Sequence, residues 1–110
     1  VDERKPKFLN DRYKQKRGGS SYLITLFCAH CSTQLLVYQK DGKGSLIRLY
    51  LDRIIAPKEL TELQNIFHFS RIPPLVCPKC QRIIGAPMIY APEKRRAIRL
   101  IHGSFLKKKS

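Results

Sequence analysis

The chain is 110 residues long, enough for one small domain, and a domain of that size buries only a modest share of its surface. Twenty-two Lys and Arg stand against eight Asp and Glu, and the resulting formal charge of +14 repels itself unless a polyanion relieves it. An apolar content of 43% argues against a wholly disordered chain, and the lack of any run of eighteen apolar residues argues against a transmembrane helix. On charge, RNA or DNA is the leading class of partner, ahead of anionic lipid.

Val1 to Ser21 is rich in charge and poor in periodicity. Arg4, Lys5, Lys7, Arg12, Lys14, Lys16 and Arg17 face only Asp2, Glu3 and Asp11, so residues 1–21 read as a basic N-terminal arm. Gly18-Gly19-Ser20 separates it from the first strand-like run. The arm lacks the apolar block of a secretory signal. Val1 in place of methionine fits removal of a targeting segment, so an organelle interior (mitochondrion or chloroplast) is the expected compartment, with cytoplasm and nucleus left open.

Residues 22–102 carry the predicted domain. Tyr22 to Phe27 has strand composition and leads into Cys28-Ala29-His30-Cys31; Thr33 to Gln39 resumes as a strand. Asp41-Gly42-Lys43-Gly44 supplies turn chemistry before Leu46 to Leu51, which predicts a three-stranded antiparallel unit. Pro57 to Phe67 predicts a short helix with Leu60, Leu63 and Phe67 on one face, or one starting a turn later with Thr61 and Gln64 as a capping box. Pro73-Pro74 ends any helix and feeds Leu75-Val76 into Cys77-Pro78-Lys79-Cys80, after which Gln81 to Gly85 completes a turn. Met88 to Tyr90 and Ala97 to Ile101 form the arms of a hairpin with Ala91 to Lys94 at its tip. Residues 103–110 read as a basic C-terminal tail.

The two Cys-x-x-Cys pairs use every cysteine. Zinc accepts four soft thiolates in a closed tetrahedron, whereas hydrolytic sites keep one position open, so Cys28, Cys31, Cys77 and Cys80 are expected to hold one structural Zn2+. Forty-five residues, 32–76, separate the pairs, which loop entropy tolerates because it grows only logarithmically with length. Three other readings compete: a secreted disulfide framework, which has no secretory context; two packed pairs; and a redox dithiol, which needs an activating helix N-terminus that neither pair has. His30 is an alternative ligand, but joining two stronger ligands that flank it would strain the turn.

With Cys-Ala-His-Cys-Ser and Cys-Pro-Lys-Cys-Gln as knuckles, the chain resembles zinc-ribbon proteins of the four-cysteine type over Phe27 to Tyr38 and Val76 to Ile101. That resemblance implies a small, mainly β zinc ribbon: two β-hairpin knuckles, a short intervening helix and extended basic termini. It also implies membership of ribosomes, transcription machinery or RNA-processing assemblies. Ser32 and Gln81 stand where a glycine often follows the second cysteine.

His68 and His102 have no acid, base or nucleophile pattern around them, and Asp52, Glu59 and Glu62 read as salt-bridging or helix-polarity residues, so no enzyme is expected. The basic positions cluster: Arg12, Lys14, Lys16 and Arg17 before the domain, Arg95, Arg96 and Arg99 on the hairpin, and Lys107, Lys108 and Lys109 after it. Such clusters neutralise phosphates without reading bases. Tyr13, Tyr22, Tyr50, Phe69, Tyr90 and Phe105 are candidate stacking groups. The expected function is a structural RNA-binding subunit of a large ribonucleoprotein, an organellar ribosomal protein, partnered by RNA and neighbouring proteins. The alternatives are a transcription-associated module contacting DNA or RNA polymerase, and a protein-interaction adaptor.

Overall fold

The computed structural model describes Leu9 and residues 11–109. Arg4, Lys5 and Lys7 of the predicted arm, and Ser110 of the predicted tail, lie outside the described residues. Among the described residues, eight strands form two four-stranded antiparallel sheets. Strands β1 (Ser21–Cys28) and β2 (Gln34–Asp41) are the centre of the first sheet. They are flanked by β4 (Ile54–Ala56) and β8 (Phe105–Lys109), in the order β4-β2-β1-β8. The second sheet has the order β3-β7-β6-β5, from β3 (Arg48–Tyr50), β7 (Arg95–Leu100), β6 (Ile83–Tyr90) and β5 (Leu75–Val76). This is a mainly β, zinc-ribbon-like fold.

Each sheet contains one predicted knuckle hairpin, β1/β2 in the first and β5/β6 in the second. Along β1, period-two alternation turns Ile24, Leu26 and Cys28 inward while Leu23, Thr25 and Phe27 are only half-buried. Leu26, Leu36, Leu49, Ile84 and Ile98 are almost fully withdrawn from water, and the same core cluster contains Cys28 and Cys77. Burial of each such Leu or Ile contributes about 1.5–3 kcal/mol.

The hairpin of β6 and β7 forms as the sequence predicts, with Met88 opposite Ala97 and Tyr90 opposite Arg95. Its tip is a tight turn, Ala91–Glu93, closed by Lys94 at φ 52°. The predicted three-stranded unit is different in its third member. Arg48–Tyr50 crosses to the second sheet, where Leu49 pairs with Ile98, and Ile54–Ala56 takes the place beside β2. The reason is what holds the turn: Gly42 N–H donates to Ser20 O at 3.0 Å, and Asp41 is bound to the buried Arg53, so the chain leaves β2 without folding back on it. Leu49, Tyr50 and Leu51 are all buried, which no single-sheet alternation describes.

The intervening helix is also shorter than predicted. A turn of α-helix, Lys58–Thr61, tightens into a 3₁₀ turn over Glu62–Asn65. Leu63 is buried and Leu60 packs against the core, but Phe67 is 92% exposed. At three residues per turn the position that continues the face of Leu60 and Leu63 is Ile66, which packs against the core, and the chain leaves the helical turn at Asn65, so Phe67 falls beyond it. Thr61 and Gln64 make no capping box: Thr61 Oγ1 donates to Lys58 O at 2.7 Å and Gln64 Nε2 to Thr61 O at 2.9 Å.

The described parts of both basic ends, residues 11–17 and 105–109, are built onto the domain. Asp11 caps a helical turn, α1 (Arg12–Lys16), accepting from the backbone N–H groups of Tyr13 and Lys14. At the other end, Phe105–Lys109 is extended as β8 and pairs along β1, with Lys107 opposite Leu26 and Lys109 opposite Ile24.

Candidate metal centre and cationic surface

The two knuckles repeat one hydrogen-bond pattern. In the first, Cys28 N–H donates to Thr33 O at 2.8 Å and Ser32 N–H to Cys28 O at 2.8 Å; in the second, Cys77 N–H donates to Arg82 O at 2.9 Å and Gln81 N–H to Cys77 O at 3.0 Å. Ser32 (φ 62°) and Gln81 (φ 68°) occupy the left-handed region at equivalent positions. The turn therefore demands the conformation that glycine adopts most easily, and two non-glycine residues supply it.

These turns bring the four sulfurs within 4.8 Å of one another. Cys28 Sγ lies 3.6 Å from Cys80 Sγ, and Cys31 Sγ lies 3.5 Å from Cys77 Sγ. A zinc–sulfur bond of about 2.3 Å places tetrahedral sulfurs about 3.8 Å apart, whereas a disulfide brings two of them to about 2.05 Å. All four cysteines are free, so the donor set and spacing fit one tetrahedral metal ion closed by protein ligands. Cys28 and Cys77 are buried; Cys31 and Cys80 are half-buried.

The surroundings favour thiolates at two of the positions. The Thr33 hydroxyl, 3.1 Å from Cys31 Sγ, and the Thr33 backbone hold the Cys31 thiol down to about 6. Backbone N–H groups of Cys80 and Lys79 lower Cys77. At Cys80 the Arg82 N–H favours the thiolate, but desolvation and the neighbouring thiols push it up to about 11. Four thiols that must ionise side by side need a cation among them. After each pair the chain enters a strand, β2 or β6, so no helix N-terminus activates either as a redox dithiol. His30 is exposed at its knuckle and is not among the four converging ligands.

Four of the six described carboxylates, Asp11, Asp41, Asp52 and Glu93, are held in ion pairs that serve the fold. Arg53, about 1% exposed, binds Asp41 at 2.9 Å and Asp52 at 3.4 Å, and its third ion pair, at 2.6 Å, holds Asp11. Burial opposes ionisation of Asp41, but hydrogen bonds from Ser21, Arg53 and Gln39 outweigh it and lower its pKa. The Arg53 guanidinium holds Asp11 down to about 2. Glu93 is lowered in the same way, desolvation being outweighed by Arg17 and Arg95.

That arrangement divides the predicted basic residues. Arg95 is buried: it binds Asp52 at 3.0 Å and Glu93 at 3.2 Å, and its guanidinium lies 3.7 Å from the Tyr50 ring centroid and 4.0 Å from that of Tyr13. Arg17 binds Glu93 at 3.1 Å and donates to Tyr50 Oη at 2.9 Å, and Lys16 lies 3.6 Å from Glu93. Arg12 is exposed beside Tyr13, and Lys14 is half-buried on the same turn. Arg96 donates to Gln64 O at 2.6 Å. Arg99, Lys107, Lys108 and Lys109 are exposed, and among the described residues none of the four has a carboxylate partner. Lys109 lies over the Tyr22 ring at 4.6 Å. Of the candidate stacking rings, Tyr50 is buried, Phe69 is 38% exposed, and Tyr13, Tyr22, Tyr90 and Phe105 are intermediate.

Two further cations, Lys40 and Arg82, lie outside the predicted basic clusters. Burial lowers the Lys40 pKa, and Lys107 adds to the effect, marking two cations that share one region. Arg82 is exposed beside the second knuckle. One signal was available: residues 12–40, 63–92 and 94–110 contain no Asp or Glu, and these stretches supply both knuckles, β1 and β5 to β8, with β2 acid-free as far as Lys40. Among the described residues, His30, His68 and His102 make no side-chain hydrogen bond or ion pair, Glu59 and Glu62 likewise, and no helix is long and apolar enough to cross a membrane. Comparison with protein-family models, with curated proteins and with solved structures returned no match for this chain.

Proposed function

We propose that this chain is a non-catalytic, structural RNA-binding subunit of a large ribonucleoprotein, of the kind an organellar ribosome contains. One observation carries the reading. Asp11, Asp41, Asp52 and Glu93 are all consumed by Arg17, Arg53, Arg95 and Lys16, which leaves Arg82, Arg99 and Lys107 to Lys109 without a carboxylate partner among the described residues. A polyanion supplies the missing counter-charge, and its affinity is set by phosphate contacts rather than by base identity. The metal's part is to hold two knuckles, and so two sheets, in one arrangement; as a four-thiolate ion it offers no open position for water. Arg12, Arg99 and Lys107 to Lys109 are predicted residues left without a carboxylate among the described residues and assigned here to phosphate, while Arg95 and Arg17 support the fold.

The test is fractionation of cell extract with and without ribonuclease, followed by competition among structured RNA, single-stranded RNA and duplex DNA over a salt series. Ribonuclease-sensitive migration with a large particle is expected. Preference for duplex DNA, or a stable polymerase complex, replaces this reading with a transcription-associated module. Retention of a protein partner after ribonuclease and after replacement of Lys107 to Lys109 favours an adaptor instead.

A further inference from the structure

Beside the metal centre, residues far apart in sequence enclose a trough. The turn after β7 forms its base and is tied down on three sides: Ala29 N–H donates to Ser104 O at 3.0 Å, Ile101 N–H to Ile84 O at 2.8 Å, and Leu100 N–H to Ile47 O at 3.0 Å. Ser104 Oγ adds a bond to Ile84 O at 3.0 Å. The depression is therefore preformed. One cavity, about 540 Å³, lies between His30 of the first knuckle, Arg82 and Ile83 after the second, and the Ile101–Ser104 turn. Another, about 430 Å³, runs on past Ile101 and His102 to Ile47, Arg99 and Phe105. The two adjoin at Ile101 and His102, which line both.

Its chemistry has two components. Ile47, Ile83 and Ile101 are 52%, 54% and 46% exposed, an unusual concentration of aliphatic surface on so charged a chain. Arg82 and Arg99 stand beside them, no carboxylate lines either cavity, and neither guanidinium has an ion pair among the described residues. Flat apolar faces joined by phosphates are what such a surface complements. A duplex keeps its base faces stacked inward, out of reach of the isoleucines, whereas a single strand can splay them out.

We propose that this trough is a docking site for single-stranded RNA, with phosphates on Arg82 and Arg99 and base faces against Ile47, Ile83 and Ile101. The site rests on the RNA-binding reading above and adds to it the strand type and the residues.

Anisotropy of a labelled single-stranded RNA of about twelve nucleotides, titrated with the zinc-loaded full chain across a salt series, tests it. Joint replacement Arg82→Ala and Arg99→Ala is expected to weaken binding at least about tenfold and to lower the salt slope by about 0.7 for each phosphate no longer neutralised. Ile101→Ser is expected to weaken binding with the slope unchanged. Lys58→Ala with Lys94→Ala removes equal charge from α2 (Lys58–Thr61) and the hairpin tip, and is expected to do little. Equal losses in the arginine and lysine pairs overturn the trough while leaving diffuse RNA binding intact; a wild-type chain that binds no RNA overturns the functional reading and the trough together. Tighter binding of an equally long duplex also overturns the site. Zinc content and circular dichroism establish that each variant folds. Amide shift perturbation on the unmodified protein gives an independent reading: changes at His30, Arg82, Ile83 and Ile101–Ser104 support the site, and changes confined to Lys107–Lys109 overturn it.

Discussion

Ser32 and Gln81 hold the left-handed conformation that each knuckle needs after its second cysteine. That conformation costs a non-glycine residue about 1–2 kcal/mol, and glycine returns about 0.5–1 kcal/mol of this through its freer unfolded chain. Gln81→Gly is expected to stabilise the zinc-loaded protein by up to about 1 kcal/mol, and Gln81→Val to destabilise it by at least about 1 kcal/mol, read from thermal unfolding at constant zinc content. Gly85 is constrained by space instead. A Cβ there lies 2.6 Å from Ile98 Cγ2 and 2.7 Å from Arg99 O, so β6 and β7 must part to admit it. Gly85→Ala is expected to lower stability by about 1–3 kcal/mol in urea titration.

At the scale of elements, Arg53 joins the N-terminal turn α1 to the domain. Its partners come from the cap of α1, the end of β2 and the turn before β4, so one guanidinium locks three segments. Asp41→Asn leaves that buried cation short of its best-buried partner and is expected to cost about 3–5 kcal/mol. The same network predicts a pH response. Asp11, Asp41 and Glu93 all have lowered values in the folded state, so each contributes stability that is complete above its ordinary value and is lost as pH falls through the folded one. For Asp11 the loss runs from 3.8 to about 2. Fluorescence of Tyr13 and Tyr50, which pack around Arg95, is expected to report α1 loosening over that interval and not near neutrality.

For the whole molecule, the metal centre is the junction of the two sheets, since each knuckle belongs to a different one. Chelation under reducing conditions is expected to abolish tertiary structure and release one zinc per chain; an unchanged near-ultraviolet spectrum without metal contradicts this. Cys28→Ser and Cys77→Ser are expected to have the same effect as each other despite lying in different sheets. The charge has a comparable division. Replacing Lys107 to Lys109 is expected to weaken the proposed RNA binding at low salt with zinc content intact, because these exposed side chains have no carboxylate partner among the described residues. Replacing Arg95 is expected to loosen the hairpin end, because Asp52 and Glu93 lose the buried cation they share and keep only Arg53 on one side and Arg17 and Lys16 on the other.

The metal ligands, the two knuckle hairpins and the hairpin closed at Ala91–Lys94 were legible in the sequence because each depends on donor chemistry or on residues within a few positions of one another. Thiolate number and x-x spacing carry the metal assignment wherever the knuckles lie, and a tight turn is decided by its own residues. Only the tertiary structure decided the destination of residues 46–56, since a segment buried on both sides has no alternation to name its partner, and the choice between two sheets turned on distant contacts such as Tyr50 N–H to Tyr38 Oη at 2.8 Å. The same holds for the arginines. Arg95 and Arg99 look alike four residues apart, yet one meets Asp52 and Glu93 and is buried, while the other faces the trough. Whether a cation supports the fold or remains available to a partner depends on which carboxylates the chain brings to it, and that is a property of long-range pairing rather than of local sequence.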